Sequence, residues 1–268
     1  METLVNRIGT GLLIYAAIAV VFLAAPIAIV IAVAFTSADY VSFPPTGFSL
    51  RWFHKVVSDP EFVRPLWNSF ELGIASTLLS MVLAVPAAIA LVRHRFRFGA
   101  AIQAFLLSPL SLPTIILAIG LLFFVARVGI ADSFAGLVAG HAVITVPYVL
   151  RTVLGVYSGV NREVEEAAIV LGAGPAQAFR FITLPLLAPG LIAGGIFAFL
   201  LSFDEVAVAL LLSNSSTTTL PVSILSYVVY NYDPAAAAVS AVQIAIIIAL
   251  LVALERLFGI KRVMFVSR

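Results

Sequence analysis

Two neighbouring acids, Asp204 and Glu205, stand inside a stretch that is otherwise apolar from residue 186 to residue 212. An ionised carboxylate near the middle of a membrane helix costs at least about 2.5 to 3.5 kcal/mol unless it faces a cavity or a partner. Read as one continuous helix, the run places the pair about 10–12 Å from its outer end with side chains about 100° apart, so the two serve different contacts. Carboxylates can replace water around an ammonium-type cation, and Ser202, Phe203, Tyr227 and Tyr230 offer hydroxyls and ring faces for the same purpose. A protonated or ion-paired lock on helix packing or on a gate accounts for the acids equally well. Ser202, Asp204, Glu205, Tyr227 and Tyr230 are therefore the candidate pathway or gate residues.

A second polar group interrupts the apolar chain. Glu163, Glu165 and Glu166 follow Asn161, a residue suited to capping a helix, and carboxylates in a first turn oppose the positive end of the backbone dipole. Val164, Ala167, Ala168 and Leu171 recur at helical spacing as a narrow stripe of mostly small side chains, ending at Gly172. Pro175 suits the first position of a second short helix, 176–181, which should stop before Pro185 because a residue preceding proline leaves helical geometry. The predicted result is a helix–turn–helix elbow joined to the next apolar run at Leu186. On physical grounds alone it is either a docking site for a soluble partner or a solvated loop.

The elements that must position these groups are membrane helices. Of 268 residues, 62% are hydrophobic and 10% charged, with mean hydropathy +1.16, which excludes an ordinary soluble domain. A span needs roughly 20 apolar residues. Six runs qualify: 12–35, 70–92, 100–126, 135–154, 186–212 and 235–258. They are continuously apolar, which indicates helices instead of barrel strands, and the first is too long for a signal-peptide core and is retained as a span. With a cytoplasmic amino terminus, eleven basic residues (Arg7, Arg93, Arg95, Arg97, Arg151, Arg162, Arg180, Arg256, Lys261, Arg262 and Arg268) fall on one side and four (Arg51, Lys55, Arg64 and Arg127) on the other. That bias places both termini and the elbow in the cytoplasm, and the 37–66 and 213–234 loops on the opposite face. Pro26, Pro86, Pro109, Pro113 and Pro147 mark positions for kinks.

Several chemistries are excluded. Without cysteine there is no disulfide or thiolate metal site. His141 reads as a buried hydrogen-bonding residue with nothing nearby to complete a metal site, and Trp52 and Trp67 as interfacial anchors. There is no H-E-x-x-H, no G-x-S-x-G and no second intramembrane aspartate for an acid dyad, so no catalytic residue is assigned. The slight basic excess needs no nucleic-acid partner.

Glu166-Ala167-Ala168, then three residues, Gly172, nine residues and Ile182-x-Leu184-Pro185 resembles the signature of permease subunits of type I ABC importers. The resemblance implies an all-α integral membrane fold of six transmembrane helices, in one domain over 1–268, with a cytoplasmic coupling loop over about 155–185 between spans four and five. It implies that Glu165, Glu166, Ala167, Ala168, Leu171, Gly172, Ile182, Leu184 and Pro185 form the surface held by a separate ATPase subunit, with Leu184 and Pro185 fixing the exit into the fifth span. The partners implied are two ATP-binding subunits carrying Mg-ATP, a second permease subunit and a soluble solute-binding protein, at a bacterial inner membrane. The chain lacks a G-x-x-x-x-G-K-[ST] phosphate loop, so no cofactor of its own is expected.

Ser202-Phe203-Asp204-Glu205 with Thr217-Thr218-Thr219-Leu220-Pro221 and the 223–227 segment resembles the spermidine/putrescine branch; branches carrying opines, ferric iron or thiamine have similar sequences here. A proton- or sodium-coupled secondary transporter is the alternative of another class, in which the two acids bind the ion and no ATPase is needed. Gly47–Phe53 resembles the entry to a short amphipathic outer helix that recurs in the importer family.

Overall fold

The computed structural model describes residues 2–94 and 97–258. Arg95, Lys261, Arg262 and Arg268, counted in the charge bias, lie outside the described residues, as does the side chain of Arg7. Every regular element among the described residues is helical. Five helices are long and apolar enough to span a membrane: α1 (Glu2–Ala34, apolar from Thr10), α3 (Pro60–Arg93), α6 (Phe134–Tyr157), the continuous helix from Pro175 to Asp204, and α12 (Ala235–Phe258). A bent pair, Gly99–Ser111 with Thr114–Val128, passes the same test only when its two arms are taken together, which brings the number to six if they form one span.

That pair corrects the third predicted run. α4 (Gly99–Leu107) continues as a 3-10 turn to Ser111, and α5 (Thr114–Val128) then leaves at 109°. Leu112 is extended (φ −95°, ψ 140°), the geometry forced on a residue that precedes a proline, and Pro113 cannot supply the amide a continuing helix would need. Pro26, Pro86 and Pro147, by contrast, stay inside α1, α3 and α6.

The described chain forms two units, one drawn from Met1–Val63 and Ile224–Ile248, the other from Arg64–Ser223 and Ala249–Arg268. The first contains α1, the predicted outer amphipathic helix α2 (Arg51–Ser58), and the ends of α11 (Leu220–Tyr230) and α12 that fall within it. α2 buries Trp52 and Val56, and the Trp52 indole donates to the Thr36 carbonyl at 3.1 Å. α11 replaces part of the expected 213–234 loop, and its 11 residues are too few to span a bilayer.

In the larger unit α6 and α9 (Leu184–Asp204) pack along their lengths. Lipid tails are as apolar as leucine, so membrane helices associate through close packing and hydrogen bonds and not through water exclusion. α9 meets that requirement with small residues four apart, Gly190, Gly194, Ala198 and Ser202, all buried. A β-carbon on Gly194 would overlap the Thr152 hydroxyl and sit 3.0 Å from Val149 Cα. Ser202 Oγ then accepts from Ser76 of α3 at 2.8 Å and meets His141 Nδ1 of α6 at 2.9 Å, joining three helices.

Candidate functional site

The elbow begins as its sequence predicts. Asn161 accepts the amide of Glu163 at 3.0 Å and caps α7 (Arg162–Val170). At the far end Gly172 bonds to the Ile169 carbonyl and Ala173 to that of Ala168, both at 3.0 Å, closing the helix as a Schellman motif. Gly172 has φ +96°, which an L side chain adopts only with strain, and a β-carbon there would meet nothing within 4 Å. Its requirement is thus conformational within this chain, not steric.

The second helix departs from expectation. α8 (Pro175–Ala178) is capped by Gln177 Oε1 on the Gly174 amide at 3.0 Å, but it does not stop before Pro185. It widens into a π turn over Phe179–Thr183 and runs directly into α9. The Leu184 amide reaches back to the Phe179 carbonyl, a longer step than in an α-helix, which makes room for the Pro185 ring and leaves its missing donor at the start of α9. The second helix of the elbow and the fifth span are one rod, and α7 is joined to it by the turn at 171–174.

Glu165 and Glu166 divide the work of holding it. Glu165 points inward: Arg93 Nε donates to Oε2 at 2.8 Å, and Tyr157 and Thr183 donate to Oε1 at 3.0 and 2.8 Å. Arg93 also donates to the Tyr157 hydroxyl at 2.9 Å, and its guanidinium lies 4.2 Å from that ring. Ends of α3 and α6, α7 and the π turn therefore meet on one carboxylate. Burial pushes the Glu165 carboxyl up, but the hydrogen bonds from Arg93, Thr183 and Tyr157 outweigh it and hold the group below the usual glutamate range. Glu166 is exposed and, among the described residues, pairs along its own helix with Arg162 at 2.7 Å.

The tip of α7 is bare. Val170 is 86% exposed and Leu171 87%, beside exposed Ala167 and Gly172 and half-buried Ala168. Ile182 is half-buried, while Leu184 and Pro185 are exposed at the start of α9. Sequence reading missed Val170, Arg93, Tyr157 and Thr183; only Val170 had a local signal, as the neighbour of Leu171, because Arg93 lies 72 residues from the carboxylate it binds.

The two acids do not sit in one helix. α9 ends at Asp204, Glu205 is extended (φ −75°, ψ 124°), and a short helix α10 (Ala207–Leu212) follows. Glu205 Oε1 accepts the amides of Ala207 at 2.8 Å and Val208 at 3.3 Å, so this carboxylate caps α10. Exposed Asp204 and half-buried Glu205 line a cleft of about 350 Å³ with Tyr148, Phe197, Leu200 and Leu201. Ser202 is buried in its network with Ser76 and His141, away from this cleft's lining.

Tyr227 and Asp233 belong to the smaller unit. Lys55 donates to Tyr227 Oη at 2.6 Å and to Asp233 Oδ2 at 2.8 Å, and Tyr227 donates to the same carboxylate oxygen at 2.8 Å. Asp233 Oδ1 accepts the Ala235 amide and starts α12. Asp233 first, then Tyr227, raises the Lys55 ammonium above its ordinary value; burial pushes Asp233 up but the Lys55 and Tyr227 hydrogen bonds bring it below its own. Tyr230 is 80% exposed.

Residues 77–261 match the family described as binding-protein-dependent transport system inner membrane component. The spermidine/putrescine transport system permease protein PotC of Haemophilus influenzae is 31% identical over 206 residues, 77% of this chain and 80% of that one. The molybdenum transport system permease protein ModB of Mycobacterium bovis is 31% identical over 232 residues, 80% of this chain and 87% of that one. Among solved structures, a chain of a bacterial ABC transporter involved in import of the acidic polysaccharide alginate superposes with a TM-score of 0.73 at 16% identity, covering 94% of this chain and 97% of that one.

Proposed function

The chain belongs to the family of binding-protein-dependent transport system inner membrane components and is a translocation subunit of an ATP-driven importer, from which we propose that it carries a polyamine-type cation and is driven through the tip of α7. The observation that carries the second part is the contrast between a braced base and a bare tip. Glu165 is tied to α3, α6 and the π turn, whereas Val170 and Leu171 project almost wholly exposed from the end of the same helix. Two large apolar side chains held out on a rigid support suit a socket in a soluble subunit.

In this reading Mg-ATP stays on two partner ATPases, Glu166, Ala167, Ala168, Leu171 and Gly172 face the socket, and the elbow is cytoplasmic with both termini. A push on α7 passes through the Glu165–Thr183 bond into the continuous Pro175–Asp204 helix, and the close-packed α6 moves with it, because their glycine contact leaves no space to slide. A second permease subunit completes the pathway and a solute-binding protein delivers the cargo.

The cargo class is supported by the PotC relative and by Asp204 on a cleft with the aromatic rings of Tyr148 and Phe197. An ammonium there gains a carboxylate and ring faces together. The test is uptake of radiolabelled putrescine, spermidine and molybdate by vesicles containing the assembled importer. Putrescine or spermidine uptake that falls at least about tenfold in Asp204→Asn, with ATPase association intact, supports the reading. Molybdate uptake with no polyamine uptake overturns the cargo, and unchanged uptake in Asp204→Asn removes Asp204 from the pathway.

A further inference from the structure

A second cleft, of about 640 Å³, opens between the ends of α3, α4 and α6 and is lined by Arg93, Arg151, Gln103 and Ser158. Leu91 and Leu107 are among the aliphatic side chains that form the rest of its wall. Among the described residues its lining contains two guanidinium groups and no carboxylate. The nearest acid in the network, Glu165, is already occupied by Arg93, Tyr157 and Thr183. Arg93 spends Nε on that network, and its Nη2 is buried with no hydrogen-bond partner among the described residues.

Arg151 sharpens the problem. It lies on α6 six residues before Tyr157, about 9 Å along the helix from its end. It forms no ion pair or hydrogen bond among the described residues. A guanidinium at that depth in a membrane-spanning helix requires a counter-charge or water. The unpaired Arg151 and Arg93, with its Nη2 unused, line one cleft with two neutral hydrogen-bonding side chains, Gln103 and Ser158, a set that suits an oxyanion because guanidinium forks match phosphate geometry.

We propose that this cleft binds a phosphate ester anion, with Arg151 as the exposed clamp and Arg93 as the buried one. The leucine and valine wall beside the charged floor suits a ligand that is anionic at one end and apolar at the other, so the headgroup of an anionic phospholipid is the occupant the lining favours over a soluble phosphate. Because Arg93 also holds Glu165, an anion in the cleft touches the brace of the α7 elbow through a shared side chain, independently of what cargo the importer carries.

The experiment uses the full chain in zwitterionic detergent, with thermal unfolding and native mass spectrometry as readouts. Phosphatidylglycerol, phosphatidylcholine and inorganic phosphate are added at matched phosphate concentrations to the natural protein, to Arg151→Gln, and to Arg64→Gln as a basic-residue control outside the cleft. Phosphatidylglycerol should raise the unfolding midpoint by about 5 °C at a hundredfold excess over its Kd. It should survive as a retained adduct, with both effects lost in Arg151→Gln and kept in Arg64→Gln. An equal, Arg151-dependent rise with inorganic phosphate keeps the site and assigns it to a soluble ester. Equal effects of phosphatidylglycerol and phosphatidylcholine, or an undiminished phosphatidylglycerol adduct in Arg151→Gln, overturn the proposal. Should Arg151→Gln fail to fold, Arg151→Lys, which keeps the charge but loses the fork, must bind phosphatidylglycerol more weakly than the natural protein, and equal binding refutes it.

Discussion

Replacing Glu165 by alanine should loosen the elbow far more than the same change one residue later. Glu165 and Arg93 are 14% and 16% exposed, so deleting the carboxylate leaves a largely buried guanidinium whose remaining bond among the described residues is to Tyr157, and strips Thr183 of its acceptor. Breaking one side of a buried pair costs about 3–5 kcal/mol, and residual solvent access argues for the lower end, about 3 kcal/mol. Glu166 and Arg162 are 57% and 66% exposed and only one turn apart, which limits their pair to about 0.3–0.5 kcal/mol. At 1.4 kcal/mol per tenfold, amide hydrogen exchange across Ala167–Leu171 should accelerate roughly 100-fold in Glu165→Ala and only about twofold in Glu166→Ala. Adding Arg93→Met to Glu165→Ala should cost much less than the two changes summed, since both remove one interaction. Equal acceleration in the two single variants, or full additivity with Arg93→Met, would refute the assignment of Glu165 as the brace.

Aspartate at Val170 or Leu171 should change thermal stability by less than about 0.5 kcal/mol, because both side chains are already solvated, while abolishing co-purification of the ATPase subunit. Gly194→Leu should cost at least about 1–3 kcal/mol by driving α6 from α9, whereas Gly155→Ala, with open space around its β-carbon, should be neutral or gain up to about 1 kcal/mol of helix propensity; denaturation midpoints in one detergent compare the two. The depressed Glu165 carboxyl makes a contribution that is complete above the ordinary glutamate value and is lost as pH falls through the folded one, so α7 exchange protection should hold at neutral pH and fail only on acidification. The raised Lys55 ammonium works in the opposite sense, complete below the ordinary lysine value and lost as pH rises through the folded one. The lowered Asp233 sets the acid limit, so α2 protection measured by exchange should be flat across the window between.

Much of the site is written locally. Asn161 as a cap and Pro175 at a first helical position are each decided by the chemistry of one residue and its neighbours, and each stands where the sequence places it, while Gly172 ends α7 through its positive φ and not through a close contact. Pro185 misled for a related reason: its effect on the preceding residue is real, but a π turn absorbs it, and that turn is an arrangement of five residues at once. The acids misled because apolar neighbours on both sides suggest an uninterrupted helix, whereas Glu205 turns back to cap the next one.

The sequence by itself determined the membrane class, the number of apolar runs and the spacing of the elbow, because bilayer thickness and backbone capping act along the chain. Only the tertiary structure decided which carboxylate is spent inside. Arg93, Tyr157 and Thr183 reach Glu165 from separate elements, and the bonds from Arg93 to Glu165 and from Ser76 to Ser202 close 72 and 126 residues apart. Partnership over such separations depends on how helices pack in three dimensions, and neither composition nor periodicity encodes it.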